Sequence, residues 1–201
     1  MGTLLFRCTG LPSEYKENIM SVRQRLAAVG LSASLILAGG TLLAPWEGKE
    51  NKAYRDIVGV WTQCYGNTNN VDRTRVKTDD ECADELAKEL VNYNAKMKKY
   101  VHVPLTVGQE AAFTSFVYNV GEGTWQRGTP LKLLNQGRYT EACQFLIKYN
   151  KAGGKTVAGL TNRRKSEMEV CLGNNKQAID EANRIFESYK DGDFFDVIEG
   201  R

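Results

Sequence analysis

Residues 46–68 read WEGKENKAYRDIVGVWTQCYGNT, and the fold is decided there. Residues 53–65 (AYRDIVGVWTQCY) are rich in β-branched and aromatic side chains. Asp56-Ile-Val-Gly59 lies between two short extended runs, so the stretch predicts a hairpin turning at 56–59, and 66–70 predicts a loop. Glu47 stands before the hairpin at the end of an apolar helical stretch, Asp56 stands at the turn, and Thr62 is on the returning strand. A hairpin of this kind can fold Asp56 and Thr62 back towards Glu47. Two carboxylates facing each other across a gap suit hydrolysis of a glycosidic bond. One gives a proton to the leaving oxygen, and the other, ionised, activates water or stabilises the cationic sugar. A partly buried Glu keeps its proton while a solvated turn Asp does not, and a hydroxyl beside the Asp can hold the water. The spacing alone is a weak signal, because a Glu and an Asp this far apart also describe ordinary solvated surface charge.

Towards the C-terminus the pattern becomes helical. Thr78-Asp-Asp-Glu81 is a capping box, opening a long helix in which Cys82, Leu86, Leu90, Tyr93, Met97 and Tyr100 recur every three or four residues. Pro104 ends that run. Thr106 with Gln109 is a second capping box, before a helix through Ala111, Ala112, Phe113, Phe116 and Val117 that is apolar nearly all round and therefore buried. Gly121 and Gly123 are expected to close it. Shorter helices are expected at about 129–135, 138–149 and 160–172. The fold class is α+β, mainly α: a small β-hairpin lobe, a long connecting helix and a helical lobe.

Towards the N-terminus, Leu26–Trp46 (LAAVGLSASLILAGGTLLAPW) carries no charged residue over 21 positions, about the length that crosses a bilayer core. Arg23 and Arg25 precede it, so the positive-inside rule places the N-terminus in the cytoplasm and the body outside. Many of its residues are small or weakly polar, Gly30, Gly39 and Gly40 among them, so as a span it is marginal. A cleaved signal peptide, a permanent anchor and a span weak enough to leave the bilayer later are all open on this composition. Residues 1–19 lack periodicity, and Met20 reads as a natural start. The expected division is an extension at 1–19, a membrane segment at 20–46, a catalytic body at 47–173 and a tail at 174–201. The tail carries a helical apolar stripe of Ala178, Ile179, Ala182, Ile185, Phe186 and Tyr189, suited to docking on the body or on a partner. Its last residues, Ile198-Glu-Gly-Arg201, are assigned no function.

Composition excludes several classes. The chain has 201 residues, 42% hydrophobic and 25% charged, enough for one domain with a real core. A net charge of +3 is too small to argue for nucleic acid and suits a mildly anionic polymer such as a cell wall. There is one histidine, His102, read as a capping or surface residue, and there is no phosphate-binding glycine motif. No metal and no cofactor is expected. Of the five cysteines, Cys8 lies in the N-terminal extension. Cys64, Cys82, Cys143 and Cys171 are spread through the body, as disulfides of an exported protein or as buried thiols. Three connectivities are open to four cysteines, and Cys64–Cys82 with Cys143–Cys171 is the pairing expected.

The 46–68 run, with Glu47, Asp56 and Thr62 spaced Glu-x8-Asp-x5-Thr, resembles the active-site segment of phage lysozymes of the T4 type. The run VPLTVGQEAAFTSFVYNVGEGTW resembles the same family's helical-lobe motif, and GLTNRRKSEMEVCL gives a third collinear match. The resemblance covers 46–172 and implies a lysozyme-like two-lobe fold. It implies an endolysin, a muramidase cutting the β-1,4 bond between N-acetylmuramic acid and N-acetylglucosamine, working as a monomer. It makes Glu47 the general acid, Asp56 the partner carboxylate and Thr62 a holder of the water, in the inverting mode. Asn119 falls where the family lines the cleft with an amide, and Arg163 where an arginine approaches the catalytic Glu; helix-surface polarity is the plainer account of both. One departure is Asn67 in Tyr65-Gly66-Asn67-Thr68, where relatives often have His.

The apolar run also resembles the signal-anchor-release segment of a subset of these endolysins. That implies an enzyme held inactive at the host inner membrane through 26–46. It is freed to the periplasm when the membrane potential falls, as a holin or pinholin would cause. Activation by a cysteine inside the span is not supported, because 26–46 contains none. The alternatives are a lytic transglycosylase, which would use Glu47 alone, and a non-catalytic wall-binding module of the same fold.

Overall fold

Thr78 and Thr106 each cap a helix as their sequences predict. Each threonine hydroxyl accepts the N3 amide, and the N3 side chain, Glu81 or Gln109, accepts the threonine's own amide. The helices they open, α4 (Asp79–Lys98) and α5 (Val107–Val120), form the centre of the molecule in this computed structural model, which describes residues 22–47, 49–56, 59–68 and 71–190. α4 ends at Lys98, before Tyr100 and Pro104. Tyr100 is nonetheless held, its hydroxyl donating to Glu122 at 2.7 Å and its carbonyl accepting from Asn135 at 2.8 Å.

The chain enters through a helix at 22–28 (α1), turns at Gly30 with φ +78°, and resumes as α2 (Ala33–Leu37). It then passes through a π-helical turn, Ala38–Leu43, into α3 (Ala44–Glu47). The hairpin follows as β1 (Glu50–Arg55) and β2 (Trp61–Cys64), antiparallel, with Tyr54 opposite Thr62. After α5 come α6 (Glu122–Arg127), α7 (Thr129–Asn135) and α8 (Tyr139–Phe145) with a 3-10 turn, Leu146–Lys148. A two-residue ribbon, β3 (Lys151–Ala152) and β4 (Lys155–Thr156), leads to α9 (Ala158–Cys171) and α10 (Lys176–Lys190). The molecule is therefore mainly helical with two small antiparallel sheets. α6 and the β3–β4 ribbon were not anticipated. Gly121 does end α5, but it also serves as N-cap of α6, and Gly123 lies inside that helix.

α5 is the core helix and packs against α9, α4, α2 and the π-helical turn. Phe113, Phe116 and Trp125 are fully enclosed, and the Trp125 indole donates to the Met97 carbonyl at 3.0 Å. Leu26, Ile36, Leu37, Leu42 and Leu43 are fully buried in the same core. Each such side chain contributes about 2 kcal/mol of hydrophobic stabilisation. Among the described residues no helix is long and apolar enough to cross a membrane. The glycines have a packing role here: a Cβ on Gly39 would stand 2.5 Å from Leu26 Cδ1, and one on Gly40 would stand 2.2 Å from Arg23 Cγ. They let α1 lie directly on the π-helical turn.

Both expected disulfides are present. Cys64–Cys82 ties the end of the hairpin to α4, and Cys143–Cys171 ties α8 to α9. α10 docks on α2, burying Ala178 and Ala182. Arg23 links α1 to α10 and to the π-helical turn, pairing with Glu181 at 2.6 Å and donating to the Thr41 hydroxyl at 2.9 Å. The proposed start at Met20, the 1–19 extension with Cys8, and Ile198–Arg201 lie outside the described residues.

Candidate active site

Glu47 is the last residue of α3 and its side chain is 22% exposed. One oxygen, Oε1, accepts a hydrogen bond from Arg163 Nη1 at 2.6 Å. The other, Oε2, faces Gly66, where a Cβ would stand 3.1 Å from it. Gly66 has φ +76°, so the chain leaving the hairpin passes the acid at close range through a conformation that favours glycine. The two oxygens thus have different surroundings, one held by a cation and one beside the hairpin lobe.

The hairpin turn forms as predicted. Asp56 accepts the Gly59 amide through its carbonyl at 2.9 Å, and its Oδ1 accepts the Val60 amide at 2.8 Å. The Tyr54 phenol is pushed up by burial and then by the charges of Glu50, Asp56 and Glu47. It therefore lies within electrostatic reach of both candidate acids. Thr62, its cross-strand partner, shares that face of the hairpin. Thr62 is 4% exposed and its hydroxyl donates to the Val60 carbonyl at 3.2 Å, leaving its oxygen as an acceptor. The Tyr118 phenol is pushed up strongly by burial and by Glu47, and its hydroxyl donates to the Tyr65 carbonyl at 3.2 Å.

Behind Glu47 lies a charged cluster of which the sequence singles out Arg163 but not Arg164 or Glu167. Arg163 and Arg164 are 5% and 0% exposed, and Glu167 is fully buried. Glu167 Oε1 accepts from Ser115 of α5 at 2.8 Å and from Arg164 Nη2 at 3.1 Å, and lies 3.5 Å from Arg163 Nε. Arg164 also stacks on Phe116 and donates to Asn119 Oδ1 at 3.0 Å. Burial pushes the Glu167 carboxyl up, against Arg164, Arg163 and the Ser115 hydroxyl; it pushes Arg164 down to about 10, still protonated at neutral pH. The available signal was the spacing: Arg163, Arg164 and Glu167 stand four and three apart, so they share a helix face.

Asn119 is exposed at the end of α5, its carbonyl end taken by Arg164. His102 is exposed, away from these residues' contacts, with its amide donating to Asn135. Asn67, at the departure from the expected motif, bridges to Gln63 and donates to Glu85 at 3.2 Å. Among the described residues no group of three or more His, Cys, Asp or Glu side chains is placed to hold a metal ion.

A two-lobe helical body with a β-hairpin beside a clamped glutamate is the arrangement of a lysozyme-like hydrolase. The phage lysozyme family model matches residues 44–167, more than half of the chain. The SAR-endolysin of Enterobacteria phage P21 is 34% identical over 158 residues, covering 76% of this chain and 96% of its own. That of Pseudomonas phage phiKMV is 40% identical over 147 residues, covering 71% and 89%. The active form of the P1 phage endolysin Lyz, 22% identical, shares the fold with a TM-score of 0.70 over 78% of this chain and 94% of that one. The chain belongs to the phage lysozyme family.

Proposed function

We propose that this protein is an endolysin, a muramidase that hydrolyses the β-1,4 bond between N-acetylmuramic acid and N-acetylglucosamine in peptidoglycan and so lyses the host cell. Glu47 donates its proton to the glycosidic oxygen through Oε2, the oxygen not engaged by Arg163. Asp56, at the hairpin turn, is the ionised partner that activates water on the opposite face of the sugar, as inverting hydrolysis requires. Thr62 accepts a hydrogen bond from that water. Arg163 orients Glu47, and Asn119 offers its amide to the glycan. The observation that carries this reading is the clamp on Glu47, with Arg163 on one oxygen and Gly66 against the other.

The same reading extends to regulation. The relatives are named SAR-endolysins, and Leu26–Trp46 is uncharged and of spanning length. In this reading residues 20–46 hold the enzyme at the inner membrane, N-terminus in the cytoplasm, and depolarisation frees it to the periplasm. In the released form the segment folds into the core and ends at Glu47, so leaving the lipid is what delivers the acid to the hairpin.

The test is Glu47→Gln, assayed on purified peptidoglycan with product analysis. Expected are loss of at least about a thousandfold in rate, unchanged circular dichroism, and retained binding to the wall. Unchanged hydrolysis would remove Glu47 from the chemistry. A 1,6-anhydro product from the unmodified enzyme would mean a transglycosylase instead.

A further inference from the structure

We propose that Glu167 is a positioning residue of the catalytic acid: held by Ser115, its buried carboxylate anchors the Arg163 guanidinium from the Nε side and so aims Nη1 at Glu47. The inference rests on the reading of Glu47 as the acid and adds the device that holds it.

The geometry runs as a chain across three elements. Ser115 Oγ on α5 donates to Glu167 Oε1 at 2.8 Å, Glu167 Oε1 lies 3.5 Å from Arg163 Nε on α9, and Arg163 Nη1 donates to Glu47 Oε1 on α3 at 2.6 Å. The contact at Nε is an ion pair and not a hydrogen bond, but a guanidinium is a rigid planar fork, so drawing its Nε edge towards Glu167 sets where Nη1 points. An arginine without that second anchor swings about its long side chain, and its grip on Glu47 loosens.

Charge supports the same assignment. The cluster sets two carboxylates, Glu47 and Glu167, against two guanidiniums, Arg163 and Arg164. The phenols of Tyr118 on α5 and Tyr54 on β1 also face Glu47, each pushed up by burial first and by the Glu47 charge among other causes. Glu167, Arg164 and Arg163 are enclosed, while Glu47 alone is partly open. Buried ion clusters cost desolvation, and apolar replacements often match them in stability. A fully buried acid is thus poor value as packing, yet Glu167 is well placed to share the Arg163 charge with Glu47. Without Glu167, that whole positive charge falls on Glu47 and favours its ionised form, which cannot donate a proton.

The experiment compares Glu167→Gln, Ser115→Ala and the control Glu169→Gln, an exposed acid on the same helix. It measures kcat and KM on soluble peptidoglycan fragments across pH. Glu167→Gln keeps the size and accepting oxygen but loses the charge. Its kcat should fall about tenfold to a hundredfold with KM within about twofold, and the alkaline limb of its pH–activity profile should move to lower pH. Ser115→Ala should lower kcat severalfold without moving that limb, and Glu169→Gln should match the unmodified protein. Unchanged kcat and pH profile in Glu167→Gln overturns the proposal, as does a fall in kcat with the limb unmoved, which reduces Glu167 to packing. If Glu167→Gln does not fold, Ser115→Ala decides: lower kcat at constant KM supports the proposal, and unmodified kcat overturns it. Activity surviving in Glu47→Gln would sink the underlying reading instead.

Discussion

Gly66 brings the chain leaving the hairpin directly against Glu47. A methyl group there would stand 3.1 Å from Glu47 Oε2, and the backbone has φ +76°. Gly66→Ala therefore strains the main chain, by about 1 kcal/mol, and crowds the oxygen proposed to carry the proton. We expect kcat to fall about tenfold or more while the thermal midpoint drops by only a few degrees, read by turbidity clearing and circular dichroism. Equal activity would place the transferred proton on the other oxygen. Glu47, Asp56 and Thr62 stand out in the sequence as candidates because a spaced motif names them, and Arg163 because it falls in a family-like run. Gly66 read only as part of a loop, since nothing local says what a glycine's missing side chain makes room for. Glu167 and Ser115 were illegible as a pair: 52 positions separate them, and a serine in an apolar helix reads as filler until its partner is seen.

Helix starts were the most legible elements, because a capping box states its own geometry over four residues. The box at α4 has a measurable consequence. Arg75, pairing with Glu81 at 2.6 Å, and the Thr78 amide hold the Glu81 carboxyl down to about 2. The folded value lies below the unfolded one, so its contribution to stability is present above the ordinary glutamate range and is lost as pH falls through about 2. Glu81→Gln should lower the thermal midpoint by a few degrees at neutral pH, and the gap to the unmodified protein should close in strong acid. A gap that persists there would mean that the ionised form is not what stabilises the helix start. Helix ends were harder. α4 stops at Lys98 rather than running on through Tyr100, because Tyr100 is held by side-chain bonds that periodicity cannot see. Gly121 and Gly123 read as one stop, although the first opens a new helix. The β3–β4 ribbon turns at Gly153 and Gly154 and is too short to show alternation.

Across the molecule, the run Leu26–Trp46 admits two descriptions, a bilayer span by length and a bent core segment by position. Its small residues serve both, weakening the span and allowing α1 to approach the π-helical turn. Gly39→Leu with Gly40→Leu should favour lipid twice over, since the longer side chains are more apolar and have no room against Leu26, Leu90 and Arg23. After a protonophore, the unmodified protein should move at full length from the membrane fraction to the periplasm, and the double variant should stay behind. Equal release of both would disconnect those glycines from the transition, and a shortened unmodified product before collapse of the potential would indicate a cleaved leader. The salt bridge from Arg23 to Glu181 carries a last implication. It links α1 to α10, the first and last of the described helices. α10 also rests on α2, so an N-terminal strip still held in lipid, as proposed, would leave α10 without a seat and Arg23 without its carboxylate. Under that proposal the clasp closes only after the strip has left the bilayer, and α10 then acts as a latch against its return.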